Sequence, residues 1–342
     1  MLTLLPKASA SLIATNAKNV SIKNEKADLV ARKIIEELKN GNLSLNVFSL
    51  SKYHPIKNYS NAIDWIFISD ALNFCFWNDK SSPKWKVNGE SGYYALCAAL
   101  KRAIEDGIDI TNASFLSKIT LNEVKNIFRG DEGSGLCPLL EERLKCLNEV
   151  GSVLAEKFNG TFLTCIETCE KSAMKLLDII VSNFKCFQDV AVFCDNDKCQ
   201  KVSFYKRAQI LVADLWTYFG GQGLGEFYDI NKISMFADYR VPQVLLHFDM
   251  LEYSKELYEK LSSDDLLTPG CSEEIEIRGC SIHAVEIIVS KCIELINADE
   301  NLAKENHIIN SIIVDFFLWT YRREHTAELE HLPFHKVRTI FY

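Results

Sequence analysis

The chain has 342 residues, 48% of them hydrophobic and 25% charged, a composition that supplies a full apolar core and excludes a disordered or low-complexity protein. Lys and Arg total 38 against 46 Asp and Glu, a net charge of −8 that argues against a protein wrapping a long polyanion, although a local pair of cations still suffices for one phosphate. No apolar run reaches the ~20 residues of a membrane helix.

From the N-terminus, MLTLLPKASASLIATNAKNV carries two lysines but neither acid nor arginine, and its Leu/Ile spacing suits a short folded segment better than a transit peptide. Residues 25–41 place Leu29, Val30, Ile34, Ile35 and Leu38 on one helical face and stop at Gly41; 92–107 repeat that plan and stop at Gly107. Thr120 and Glu123 form a capping box that opens a helix over 120–128. Further helices are predicted at 139–158, 166–184, 203–219, 242–261, 281–297 and 308–330, and strands only at VAVFC (190–194) and EIEIRG (274–279). The absence of βαβ alternation excludes a doubly wound sheet. The least regular stretches, 78–92, 129–138, 194–202, 220–233 and 262–280, are too short or too apolar to be linkers. The expectation is an all-α, compact multi-helix body with few short strands, a single domain over 1–342.

The twelve cysteines contain no Cys-x-x-Cys; the closest pairs are Cys165/Cys169 and Cys194/Cys199. Free thiols packed as small core residues are therefore expected, with neither a metal site nor a disulfide framework. FGGQGLGEF (219–227) resembles a phosphate loop, but a helix precedes it where a dinucleotide fingerprint needs a strand, so it reads as a helix–helix connection.

Two acids stand in aromatic surroundings. Asp238, in SMFADYRVPQ (234–243), lies between Phe236 and Tyr239 and four residues before Pro242, a residue favoured at a helix start. A carboxylate there meets exposed backbone N–H groups that favour its ionised form, which suits stabilisation of an oxocarbenium-like transition state or activation of water. On spacing alone, an ordinary helix-entry acid is the favoured account. Asp315 interrupts the apolar run VDFFLWTYRRE (314–324), with Leu318 and Trp319 as its i+3 and i+4 neighbours. An acid on such a face needs a partner: either a ligand donating two N–H groups or an arginine such as Arg322 or Arg323. His54 follows Tyr53 near DWIFISDALNFCFW (64–77), an aromatic run best explained as core. Lys206 and Arg207, beside Tyr205 near a predicted helix N-terminus, are a candidate for one phosphate or plain solvated surface.

NFCFW (73–77), SGYYALCAALKRAIEDGI (91–108), FYKRAQILVADLW (204–216), MFADYRVPQ (235–243), EIEIRGCSIHAVE (274–286) and PFHKVRTIFY (333–342) are together similar to the queuosine salvage family, in order, from near residue 5 to the C-terminus. That resemblance implies an all-helical fold like that of helix-hairpin-helix DNA glycosylases. It also implies hydrolysis of the N-glycosidic bond of queuosine 5′-monophosphate to queuine and ribose 5-phosphate, the queuine then being available for tRNA modification. Neither metal nor organic cofactor is implied. By motif, Asp238 would be the catalytic carboxylate, Phe236 and His54 would contact the base, and Asp315 would accept from the donor edge of the 7-deazaguanine ring. The phosphate ligands are not placed by motif, and Lys206 and Arg207 are named for them on physical grounds alone. A 7-deazapurine has carbon in place of N7, so leaving-group protonation there is closed and more of the barrier falls to the ionised acid.

One departure concerns specificity. Family members often read DYYLWDY where this chain has DFFLWTY, with Phe316 and Thr320 in place of a tyrosine and an aspartate. Thr320 can hydrogen-bond to the queuine side chain but cannot offset its cationic amine. The expected protein is a cytoplasmic monomer acting on a small molecule, with no direct nucleic-acid or membrane partner. The competing readings are a non-catalytic helical module that binds a tRNA-modification partner, and a nucleosidase for other purine-like nucleotides.

Overall fold

The computed structural model describes residues 2–43, 45, 51–55, 61–195, 198–304 and 307–342. Most of them are helical, and the strands form only two-stranded antiparallel pairs, as expected for an all-α body with few short strands. The chain divides into two compact units, each drawn from three stretches: 1–44, 189–206 and 231–338 in the first, and 45–188, 207–230 and 339–342 in the second.

The first unit is organised by the helix Ser272–Ala298, in which every residue from Glu274 to Ile282 is buried. Here the structure corrects the strand predicted over EIEIRG. Alternation of Glu and Ile suggests a half-exposed strand, but the glutamates are internal anchors: Glu276 Oε2 accepts the N–H groups of Lys18 (2.9 Å) and Asn19 (2.6 Å), and Glu274 accepts that of Gly270. A helix wrapped on all sides carries no amphipathic signature to read. The N-terminal segment forms the helix Pro6–Asn16, which packs on it so closely that a Cβ at Gly279 would lie 2.6 Å from Ile13 Cγ2. The helix predicted over 242–261 is broken: Val241–His247 ends before Asp249, whose φ of 56° turns the chain into the strand Leu251–Tyr253, followed by Lys255–Ser262. That strand pairs with Val20–Ile22.

The hairpin Val190–Asp195/Lys198–Ser203 also belongs to this unit. It confirms the first predicted strand and replaces much of the irregular 194–202, of which 196–197 lie outside the described residues. Its register sets Cys194 opposite Cys199, and the two form a disulfide. The expectation of thiols throughout is corrected at this one pair, which the antiparallel register sets directly opposite each other. Among the described residues the other ten cysteines are thiols, nine of them buried.

The second unit contains the helices Ala62–Ala71, Tyr93–Glu105, Leu121–Ile127 with its capping box, and Leu140–Lys157. The helix predicted over 166–184 is split into Leu163–Thr168 and Ala173–Asn183 by left-handed Glu170 and Lys171, after which Ser172 caps the second piece. Phe67 stacks on Phe162 at 4.4 Å in the core. Buried Arg143 ties the main chain together by donating to the carbonyls of Leu72 (2.6 Å), Phe74 (2.7 Å) and Pro138 (3.0 Å). No helix among the described residues is long and apolar enough to cross a membrane.

Candidate active site

The loop 235–240 of the first unit holds two of the residues singled out above, Phe236 and Asp238. Asp238 is half-buried, and its Oδ1 accepts two backbone N–H groups, from Arg240 and Val241, both at 2.8 Å. The helix Val241–His247 begins at once, with Pro242 in its first turn, so the entry proline and the acid bonded to entry N–H groups both occur as the spacing predicts. Among the described residues Oδ2 makes no hydrogen bond. The side chain is thus oriented through one oxygen.

Asp315 lies on the helix Ser311–Glu324 and is 4% exposed. Its Oδ1 accepts the N–H of Phe236 at 3.0 Å, so one acid holds the loop that carries the other. It makes no salt bridge among the described residues. Arg322, offered as a partner from sequence, instead donates to Gln243 Oε1 (2.9 Å) and Glu330 (3.0 Å), while Arg323 lies over the Trp319 ring. Burial pushes the Asp315 carboxyl well above the usual carboxylate range, the nearby Asp238 charge adds to this, and the Phe236 N–H and Lys206 oppose it. The two neighbouring acids differ in burial, Asp238 half-buried and Asp315 desolvated.

Phe236, 4% exposed, lies 6.4 Å from the half-buried Phe316 ring. Thr320 follows one helical turn later on the same face and is also half-buried. The predicted set Phe236, Asp238, Asp315, Phe316 and Thr320 therefore sits on one loop and one helix of one unit. Arg240 stacks over Phe334 at 4.3 Å and donates to Gln243 Oε1 at 3.0 Å.

Lys206 and Arg207 are placed differently from each other, because consecutive helical residues point about 100° apart. Lys206 is 5% exposed, its backbone N–H donates to Asp189 Oδ2 at 3.1 Å, and its charge acts on Asp315. Tyr205 before it is left-handed at a φ of 48°, a conformation a bulky residue rarely holds unless its surroundings enforce it. Arg207, 1% exposed and in the second unit, donates to the carbonyls of Ala71 and Cys186 and lies between the rings of Phe74 and Phe187. It knits its own unit's main chain. His54, also in the second unit, packs its ring 5.6 Å from Tyr93 and 5.7 Å from Trp65.

Sequence reasoning passed over two charged residues beside the loop. Asp189 and Arg278, 3% and 2% exposed, form a forked ion pair with N–O distances of 2.9 and 2.6 Å, and Arg278 Nε donates to the Ala237 carbonyl at 3.0 Å. An arginine between Ile277 and Gly279 was the available signal, hidden by the strand reading of EIEIRG.

Residues 53–342 match the model of the family described as queuosine salvage protein. The queuosine 5′-phosphate N-glycosylase/hydrolase of Bos taurus is 42% identical over 99% of this chain and 99% of its own. Proteins of the same name from Nematostella vectensis and Sphaerobacter thermophilus are each 42% identical, over 99% of both chains and over 82% of this chain and 81% of the relative, respectively.

Proposed function

Since the chain belongs to the queuosine salvage protein family, we propose that it hydrolyses the N-glycosidic bond of queuosine 5′-monophosphate, releasing queuine and ribose 5-phosphate. The observation that carries the reading is the Asp238 carboxylate, anchored through Oδ1 by two N–H groups and presenting Oδ2 without a partner among the described residues. As the bond from C1′ to the base nitrogen breaks, positive charge develops on the ribosyl ring, and a fixed carboxylate stabilises it more in the transition state than in the ground state. Water then bonds to C1′ with Asp238 as base, and the proton lost by that water balances the one taken up by the departing base. The route needs neither metal nor organic cofactor.

Asp315 accepts the two N–H groups at the donor edge of the 7-deazaguanine ring. A buried carboxyl with its pKa raised is the group that such a donor pair returns to the ionised form. Phe236 covers a face of the base. Phe316 and Thr320 flank the queuine side chain. Lys206 is the cation kept for the phosphate; Arg207, with both terminal nitrogens on carbonyls, is kept for the fold. The reading takes residues 1–342 as a single catalytic domain with a fold akin to helix-hairpin-helix DNA glycosylases. It describes a cytoplasmic monomer that meets the free nucleotide rather than tRNA, in keeping with the net charge of −8.

Queuine release from queuosine 5′-monophosphate, followed by chromatography for wild type and Asp238→Asn, tests this. The variant is expected to lose at least ~10²-fold in kcat, the scale of removing one preorganised charge contact. Equal rates would remove Asp238 from the mechanism, and no release by folded wild type would favour a non-catalytic module.

A further inference from the structure

Resting on the reading of Asp238 as the catalytic carboxylate, we propose that Arg278, gripped by Asp189, is its positioning residue, acting through the Ala237 carbonyl. That carbonyl and the Asp238 N–H belong to one peptide plane, from which the Asp238 side chain springs. The plane is held at both edges: Arg278 Nε donates to its oxygen at 3.0 Å, and its N–H donates to the Phe236 carbonyl at 2.7 Å. The other two guanidinium nitrogens are fixed on Asp189, and the Arg278 Cζ lies 4.1 Å from the Phe204 ring centroid, so the donor itself has little freedom. Asp189 in turn accepts the Lys206 N–H, which ties the start of the next helix to the same fork.

Stability alone is a poor account of this pair. Desolvating two charges costs several kcal/mol, and well-packed apolar residues of similar volume commonly serve as well or better. What an apolar pair lacks is a rigid fork that addresses three acceptors at once, and lysine, a single point donor, lacks it too. His335, fully buried nearby, has its pKa pushed down to about 3 by burial and by Arg278. The catalytic loop is therefore clamped from two directions, by Asp315 on the Phe236 N–H and by Arg278 on the Ala237 carbonyl.

The test uses the full chain with queuosine 5′-monophosphate, measuring kcat, KM and Tm for Arg278→Lys and Asp189→Asn, each alone and combined with Asp238→Asn. A displaced reacting group of this kind costs about tenfold to a hundredfold in kcat, and KM is expected to stay within about twofold because no substrate contact is removed. In the Asp238→Asn background neither substitution is expected to cost anything further, since a residue acting through Asp238 has nothing left to position. Wild-type kcat in folded single variants, an effect on KM alone, or the same fractional loss with and without Asp238 would overturn the proposal. So would loss of fold in both variants, which assigns the pair to stability. A wild-type rate in Asp238→Asn alone marks the different failure, that of Asp238 as the catalytic group.

Discussion

At the scale of single residues, Phe236 joins the two acids of the site: its ring flanks Phe316, its N–H binds Asp315, and its carbonyl receives the Asp238 N–H. Asp238 and Asp315 were both legible in the sequence, as acids set among aromatics. The bond from Asp315 to Phe236 was not, because it spans 79 residues of chain and local spacing carries no information about it. Its consequence is testable. A carboxyl with a raised folded pKa keeps a proton that the unfolded chain releases above about 3.9. Wild-type stability therefore carries no penalty below that pH and loses ground as pH rises through the folded value. Asp315→Asn removes the penalty while retaining a carbonyl oxygen for the Phe236 N–H. Its Tm is expected to match wild type near pH 4 and to exceed it increasingly toward neutral pH. A difference independent of pH between 4 and 8 would show that the carboxyl is not held protonated.

At the scale of elements, the sequence was readable where a helix has one wet face and defined ends. Ala27–Lys39 and Leu121–Ile127 fall within the predicted spans, the first closed by left-handed Gly41, the second opened by its capping box. Reading failed where both signals vanish, as over 274–279 in the first turns of Ser272–Ala298, where anchored glutamates replace a wet face, although the rest of that helix was read as one over 281–297. It failed too where a non-glycine residue takes the left-handed turn, at Asp249 and at Glu170–Lys171. The helix bearing Asp315, Phe316 and Thr320 starts at Asn310, whose Oδ1 accepts the N–H groups of Ile312 and Ile313 at 3.1 Å each and whose Nδ2 donates to Asn231 at 3.1 Å. Asn310→Ala leaves those buried N–H groups without a side-chain acceptor, and urea unfolding is expected to show a loss of about 1–2 kcal/mol. Asn310→Asp keeps the acceptor and loses only the donor to Asn231, so it should fall between the two. If Asp proves no better than Ala, the cap is not what holds this helix end.

At the scale of the whole molecule, the partition into two units was invisible in the sequence for a physical reason, seen at the crossing between Lys206 and Arg207. The chain passes from the first unit to the second there, at the start of the helix Lys206–Tyr218, and among the described residues changes unit again at 230/231, within the short helix Ile230–Lys232. Composition shifts and flexible polar stretches, the usual traces of a boundary, have no reason to occur where a crossing falls inside a structured segment, as these two do. Each unit must instead assemble from stretches far apart in sequence, and its stability rests on residues remote from its main body. Tyr342 is the clearest instance. It is 2% exposed, belongs to the second unit although the stretch before Thr339 belongs to the first, and its carbonyl accepts the Cys75 N–H at 2.9 Å. Removing a buried aromatic ring costs about 3–5 kcal/mol, and here the cost should fall on the unit that contains the ring. Native-state hydrogen exchange of Tyr342→Ala is therefore expected to accelerate in Ala62–Ala71 and Leu140–Lys157, while Ser272–Ala298 keeps its protection. Equal acceleration in all three helices would mean that the two units open as one, and the division into units would then have no energetic counterpart.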